Sequence, residues 1–209
     1  MGAIRKETVT GLIFAGGRAT RMGGVNKALV ELKGRPLIAW VADCLRTQTS
    51  CIVISANRTP EAFRMYSPEV VPDRAEGFPG PLAALDAVAD VIRTEWVLTA
   101  PCDAPWLPRD LVSRFSEAQQ KAFEEGRDPD AFVAETSGRY QSAVACLRAK
   151  CLEHARASIE ADERRLRFWY RTLGAEAVPF PDESAFANLN TNGELEAASK
   201  EGKIFFEHS

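Results

Sequence analysis

The stretch GLIFAGGRATRMGGVNKALVELKGRPLIAW, residues 11–40, decides how the rest of the chain is read. It opens as an apolar, β-branched run of buried-strand length. It closes on Pro36, where apolar residues begin to recur at helical spacing as far as Gln48. Between the two lies a loop with four glycines, Arg18, Arg21 and Lys27, and no acidic residue intervenes between Gly11 and Glu31. Glycines directly after a strand let the backbone turn sharply and approach a ligand with no Cβ in the way. The amides of such a loop form a concavity for anions, and the three cations reinforce it. A solvated turn carrying ordinary surface charge is the plain alternative. Two standard templates fail: the loop has no Gly-Lys-Ser/Thr ending, and it lacks the Gly-x-Gly-x-x-Gly spacing.

Outward from this stretch the same alternation repeats. Residues 10–15, 51–56, 96–101, 130–135 and 142–147 read as strands, and 36–48, 80–93 and 108–126 as helices, with Gly126 at a helix C-cap. Strands separated by helix-length crossovers imply βαβ units and a mostly parallel sheet covered on both faces. "TSGRYQ" is instead a short glycine-containing turn, which predicts a hairpin and hence a mixed sheet. The chain shows no repeat, low-complexity tract or Gly/Ser linker, so a single domain over 1–209 is expected, with 1–9 and 203–209 as peripheral termini.

A net charge of −3 gives the whole molecule no electrostatic reason to seek nucleic acid or an anionic membrane, so any anion site must be local. The five cysteines are scattered without a Cys-x-x-Cys pair, and only two histidines accompany them; neither a disulfide framework nor a zinc site is expected. "MGAIRKETVTG" has no apolar run of signal-peptide length and no segment could span a bilayer, so the expected location is cytoplasmic.

In open α/β sheets ligands bind at the carboxyl ends of strands, where the strand order reverses. Three further blocks sit at such ends. In "VLTAPCDAPWLP" an apolar strand ends at Asp103, a position suited to a magnesium ligand and, locally, equally to capping the next helix, which Asp110 and Pro108 could cap themselves. In "VVPDRAEGFPGPLAAL" Asp73 follows a short strand and Gly80-Pro81 starts a helix. In "FANLNTNGELEA" Asn188 and Asn190 alternate along an extended segment, so both side chains lie on one side; Asn190 or Thr191 could alternatively N-cap the helix from Asn192. "DERRLRFWYRTLG" would put Arg164, Arg167 and Arg171 on one helical face, either an anion-attracting surface or, as charge runs usually are, a solvated one.

The order of the four strand-end blocks resembles the nucleotidyltransferases of molybdenum cofactor biosynthesis, most closely the guanylyltransferases, from about Gly11 to Glu196. The resemblance implies a Rossmann-like three-layer α/β/α fold of the nucleotide-diphospho-sugar transferase type, with GTP as donor and Mg²⁺ as cofactor. Molybdopterin or Mo-molybdopterin would be the acceptor, with transient contacts to other cofactor-biosynthesis proteins and client molybdoenzymes. It implies a guanine nucleotide held by Phe14, Ala15, Gly16, Gly17 and Lys27, base or ribose contacts near Asp73, and magnesium at Asp103. Arg21, Lys27 and Asp103 form the implied catalytic set, with Asn188, Asn190 and Arg164 toward the acceptor. Gly16 bears on the base, because relatives that use CTP resemble Ala-Ala-Gly where this chain has Ala15-Gly16-Gly17.

The chain departs from that pattern in several places. Phe14 stands for a leucine, and Ser55 stands where an asparagine is common, with Asn57 two residues on. "NTNGEL" lacks a proline after Asn-Thr, and "GRYQSAV" differs from the expected proline-containing segment on the acceptor side. The implied reaction, GMP transfer to a phosphate with release of pyrophosphate, needs no general base because its nucleophile is already ionised. That agrees with the scarcity of histidine. The competing readings are a related enzyme using CTP or a sugar-phosphate acceptor, and a non-catalytic nucleotide-binding or cofactor-carrier protein.

Overall fold

The structure is a computed structural model, and it describes residues 2–16, 26–74 and 80–200. In chain order the elements are β1 (Val9–Phe14), β2 (Glu31–Leu32), β3 (Arg35–Pro36), α1 (Leu37–Gln48), β4 (Cys51–Ser55), α2 (Pro60–Phe63), β5 (Glu69–Val71), α3 (Pro81–Val88) and β6 (Trp96–Pro101). There follow α4 (Leu111–Glu124), β7 (Ala131–Thr136), β8 (Arg139–Arg148), α5 (Leu152–Glu160), α6 (Leu166–Thr172), β9 (Glu176–Pro179) and α7 (Asn192–Lys200).

Successive residues of a strand face opposite sides of a sheet, and the buried residues follow that rule. Ile13, Ile54 and Leu98 pack with Ile38, Val41 and Leu45 of α1 and with Leu111 and Phe115 of α4. Their neighbours Leu12, Val53 and Val97 pack on the other face with Leu82 and Leu85 of α3, Leu152 of α5 and Trp169 of α6. The result is three layers, α/β/α. The strand order is β5-β4-β1-β6-β8-β7-β9, with β5, β4, β1 and β6 mutually parallel. β8 runs antiparallel to both neighbours, and β9 is parallel to β7. The expected mostly parallel mixed sheet and its hairpin are therefore present. The hairpin turn is Ser137-Gly138, with φ of 50° and 73°, the left-handed pair that matches strand twist in a two-residue connection.

The chain runs from β1 outward to β4 and β5, then returns to place β6 on the other side of β1. The strand order reverses there, and Phe14 pairs with Pro101 at the carboxyl end of the crevice. α1 lies close against β1 because Gly11 has no side chain: a Cβ there would stand 3.1 Å from Leu45 Cδ1 and 3.2 Å from Thr49 Oγ1.

Several features differ from the sequence reading, among them the unanticipated helices α2 and α5. The β2–β3 hairpin and edge strand β9 were not anticipated, and α3 stops at Val88 rather than continuing to residue 93. Asp110 occupies the N-cap position of α4 but makes no capping bond, its carboxylate pairing instead with Arg114 at 2.7 Å. The buried Gln48 at the end of α1 takes over: Oε1 accepts from Val112 N at 3.2 Å, and Nε2 donates to the Pro108 carbonyl at 3.0 Å. Gln48→Ala leaves the buried Val112 amide without that partner and the Pro108 carbonyl with only the weak Cys44 thiol donor at 3.4 Å, and should cost about 2 kcal/mol in urea unfolding. Asp110→Ala should cost no more than about 0.5 kcal/mol, because its ion pair is exposed.

Candidate active site

The carboxyl ends of four adjacent strands carry the candidate residues: Asp73 after β5, Asn57 after β4, Gly16 after β1 and Asp103 after β6. At the usual inter-strand spacing the outer two stand about 14 Å apart, a span that a nucleotide bridges with its base at one end and its phosphates at the other.

On the β6 side, Cys102 N donates to the Phe14 carbonyl at 3.2 Å, carrying the strand pairing past Pro101 and presenting Asp103 just beyond it. The carbonyl of Asp103 accepts from Leu189 N at 3.0 Å, which fastens the extended segment before α7 alongside. Leu189 is buried with Leu32, Leu37 and Leu195, so its neighbours Asn188 and Asn190 are both exposed, as the alternation predicted. The Lys27 ammonium donates to the Asp103 carboxylate and, at 2.6 Å, to Asn190 Oδ1. Two hard oxygens from distant parts of the chain therefore converge on one cationic position. Lys27 is set there by a single 3₁₀ turn, Lys27–Leu29, whose preceding residue Asn26 accepts from Ala28 N at 3.2 Å.

The cap of α7 releases Asn190 for this contact. Glu194 accepts from the amides of Asn190 at 2.6 Å and Thr191 at 2.8 Å, while Glu194 N donates to Thr191 Oγ1 at 3.2 Å. This is a reciprocal capping box with Thr191 as the cap, rather than Asn190. The two amides, with smaller help from Lys27, hold the Glu194 carboxyl below the ordinary range. Glu194→Ala should loosen the Asn190 segment and lower the unfolding midpoint by a few degrees, readable by thermal denaturation.

On the β4 side, Asn57 and Asp73 grip each other through two bonds: Asn57 Nδ2 donates to Asp73 Oδ2 and Asp73 N donates to Asn57 Oδ1, both at 2.7 Å. The hydroxyl of the fully buried Ser55 donates to Asp73 Oδ1 at 3.3 Å. Burial pushes the Asp73 carboxyl above its ordinary value, opposed by the bonds from Asn57 and Ser55. Gly16 lies against this pair: a Cβ there would stand 3.4 Å from Asn57 Nδ2 and 3.8 Å from the Ser55 carbonyl.

Of the sequence-predicted residues, Lys27, Asp103 and Asn190 are brought into direct contact, and Asp73 and Gly16 share the neighbouring strand ends. Phe14 and Ala15 sit at the end of β1 between them. Gly17, Arg18 and Arg21 lie outside the described residues. Arg164 is not on a helical face with Arg167 and Arg171, because α6 begins only at Leu166. Its guanidinium pairs with Asp162 at 3.0 Å, and it lines a cleft of about 490 Å³ with Arg74, Asp86 and Arg156 between α3 and α5. Arg167 and Arg171 lie over the Phe168 ring, at 4.7 and 5.5 Å, while Trp169 and Tyr170 are core. Sequence reading left Asn57 and Ser55 unassigned and missed Glu194. The Thr191-x-x-Glu194 spacing was the available signal for Glu194.

Among the described residues no group of three or more His, Cys, Asp or Glu side chains gathers as a metal cage. Magnesium does not require one; it takes one or two protein carboxylates and completes its shell with phosphate oxygens and water. The convergent oxygens of Asp103 and Asn190 fit that mode.

Residues 11–178, from β1 to β9, match the MobA-like NTP transferase domain. The molybdenum cofactor guanylyltransferase of Cupriavidus metallidurans is 36% identical over 192 residues, 92% of this chain and 95% of its own length. That of Burkholderia ambifaria is 38% identical over 207 residues, 96% and 100% of the respective chains. Among solved structures, molybdopterin-guanine dinucleotide biosynthesis protein A from Archaeoglobus fulgidus is similar with a TM-score of 0.67 and 20% identity, covering 91% of this chain and 96% of that one. 2-C-methyl-D-erythritol 4-phosphate cytidylyltransferase from Thermus thermophilus gives 0.63 and 15%, covering 90% and 96%. These two likenesses show the fold. The domain match and the identity to curated relatives over nearly their whole length show more: the chain belongs to the MobA-like NTP transferase family.

Proposed function

We propose that this chain transfers GMP from GTP to the terminal phosphate of molybdopterin or its molybdenum form, releasing pyrophosphate. The observation that carries the reading is the meeting of Lys27, Asp103 and Asn190 at the point where the strand order reverses. Curated relatives covering nearly the whole chain are named molybdenum cofactor guanylyltransferase, which supports the reading.

An acceptor phosphate oxygen forms a new bond to the α-phosphorus of GTP. The bond from that phosphorus to the bridging oxygen breaks, and its electron pair leaves on pyrophosphate. The nucleophile is already ionised, so the protein has no proton to remove; its work is positioning and charge neutralisation. Asp103 and Asn190 would hold Mg²⁺, which when bound neutralises charge on the reacting phosphate oxygens. Lys27, with Arg21 from the preceding loop, places positive charge beside the departing pyrophosphate. Phe14, at the end of β1 in the middle of the crevice, with Ala15, Gly16 and Gly17 after it, and Asp73, three strands from Asp103, hold the nucleoside. Asn188, beside Asn190, and the more distant Arg164 are assigned to the acceptor. The dinucleotide product then passes to client molybdoenzymes through transient contacts.

GTP with Mg²⁺ should raise the unfolding temperature more than CTP, ATP or UTP at equal concentration. Pyrophosphate should appear from GTP only when molybdopterin is present. An equal shift with CTP would favour the cytidylyl reading.

A further inference from the structure

A groove between the start of α4 and the segment after β9 serves none of the roles above. It encloses about 470 Å³ and is lined by Trp106, Leu107 and Pro108 before α4 and by Phe180, Pro181 and Phe186 after β9. Its aromatic wall is fixed: Phe180 stands edge-on to Phe115 at 5.8 Å and to Phe186 at 5.1 Å, and the Arg114 guanidinium lies 5.3 Å over its ring. Trp106 joins the groove to a second apolar cluster. It packs against Leu32, Leu37, Leu189, Leu195 and Ala198, the residues that seat α7 against β2. The last turns of α7 therefore lie beside the groove.

Residues 201–209, EGKIFFEHS, follow α7 and lie outside the described residues. Ile204, Phe205 and Phe206 are three consecutive large apolar residues in an otherwise polar segment. Left in water they would form a contiguous apolar patch, which soluble chains avoid. Ile204 is six residues beyond the buried Ala198, a reach of about 20 Å when extended, enough to enter the groove at Trp106. The rim carries both signs, Arg109 and Arg114 with Asp110 and Asp182, and the apolar triplet is likewise flanked by Lys203 and Glu207.

We infer that Ile204, Phe205 and Phe206 dock in this groove, so that residues 201–209 strap α7 to the body of the molecule. The strap bears on the candidate site, because Leu189 and Leu195 of the cluster that Trp106 touches flank Asn190 and its cap in sequence. The inference stands independently of the guanylyl reading.

The test compares the full chain with one shortened to end at Lys200, with the synthetic peptide EGKIFFEHS as probe in titration calorimetry. Removal of 201–209 should lower the unfolding midpoint by about 4 °C or more. The peptide should bind the shortened chain and restore part of that loss, and it should bind the full chain about tenfold or more weakly, because the chain's own segment competes. Pro181→Glu, a change at an exposed wall residue, should weaken the peptide on the shortened chain about tenfold or more. Equal binding to both chains, or no binding together with an unchanged midpoint, would overturn the inference. If the shortened chain does not fold, the full chain carries the same question. There Phe205→Ser with Phe206→Ser, and separately Pro181→Glu, should each lower the midpoint, and all three together by no more than the larger loss; additive losses would contradict docking. A full chain that sediments as a dimer, and as a monomer once Pro181→Glu is introduced, would assign the groove to a second copy and overturn the inference as well.

Discussion

Asp103→Ala should slow pyrophosphate release from GTP and molybdopterin by about a thousandfold or more, close to 4 kcal/mol of transition-state stabilisation. The carboxylate is one of two oxygens converging on the cationic position, and the only one of the pair that carries charge. Its removal would leave a neutral amide to hold the proposed dication, and magnesium gives up its water reluctantly to weak ligands. The fold should survive, because the Asp103 carbonyl, not the carboxylate, anchors Leu189. The lost ion pair is also partly solvated, worth about 1 kcal/mol at most. Asp103→Asn should be nearly as slow and should need more Mg²⁺, a dependence seen by titrating the metal. Turnover within a factor of about ten of wild type would remove Asp103 from the reaction.

Lys27→Ala should lower kcat/KM for GTP by about a hundredfold or more, through both a higher KM and a lower kcat. Its ammonium neutralises Asp103, and under the proposed mechanism phosphates entering the crevice would compete with Asp103 for it. The two substitutions can be told apart. If Lys27 and Asp103 served only each other, either change would cost the same and the double variant no more than one. If Lys27 serves phosphates and Asp103 the metal, Lys27→Ala alters chiefly the GTP dependence and Asp103→Ala the Mg²⁺ dependence. An unchanged pyrophosphate-release rate in Lys27→Ala would count against the assignment of the loop.

The sequence made the central sheet legible because β1, β4, β6 and β7 are buried on both faces and read as continuous apolar runs. The hairpin was legible through Gly138, whose left-handed φ the turn requires. β9 was not, since only Val178 is buried in its four residues and it ends in proline. β2 and β3 have two residues each, too few for any period to show. Local reading offered Asp110 and Pro108 as possible caps for α4, but the partner that binds the helix amide lies 64 residues away in Gln48. The same limit applies at the site. Lys27, Asp73, Asp103 and Asn190 were each marked by position at a strand or loop end. The grip of Asn57 on Asp73 depends on β4 lying beside β5, which no local spacing reveals. The supposed arginine face failed because Arg164 precedes α6 and turns to Asp162.

The most direct measurement follows two labels through the reaction. With GTP radiolabelled at the α-phosphate, molybdopterin and Mg²⁺, the label should move into a pterin dinucleotide. With the label at the γ-phosphate it should leave entirely as pyrophosphate. An α-label that stays in GTP, or appears as free GMP without a pterin product, would contradict guanylyl transfer by this chain.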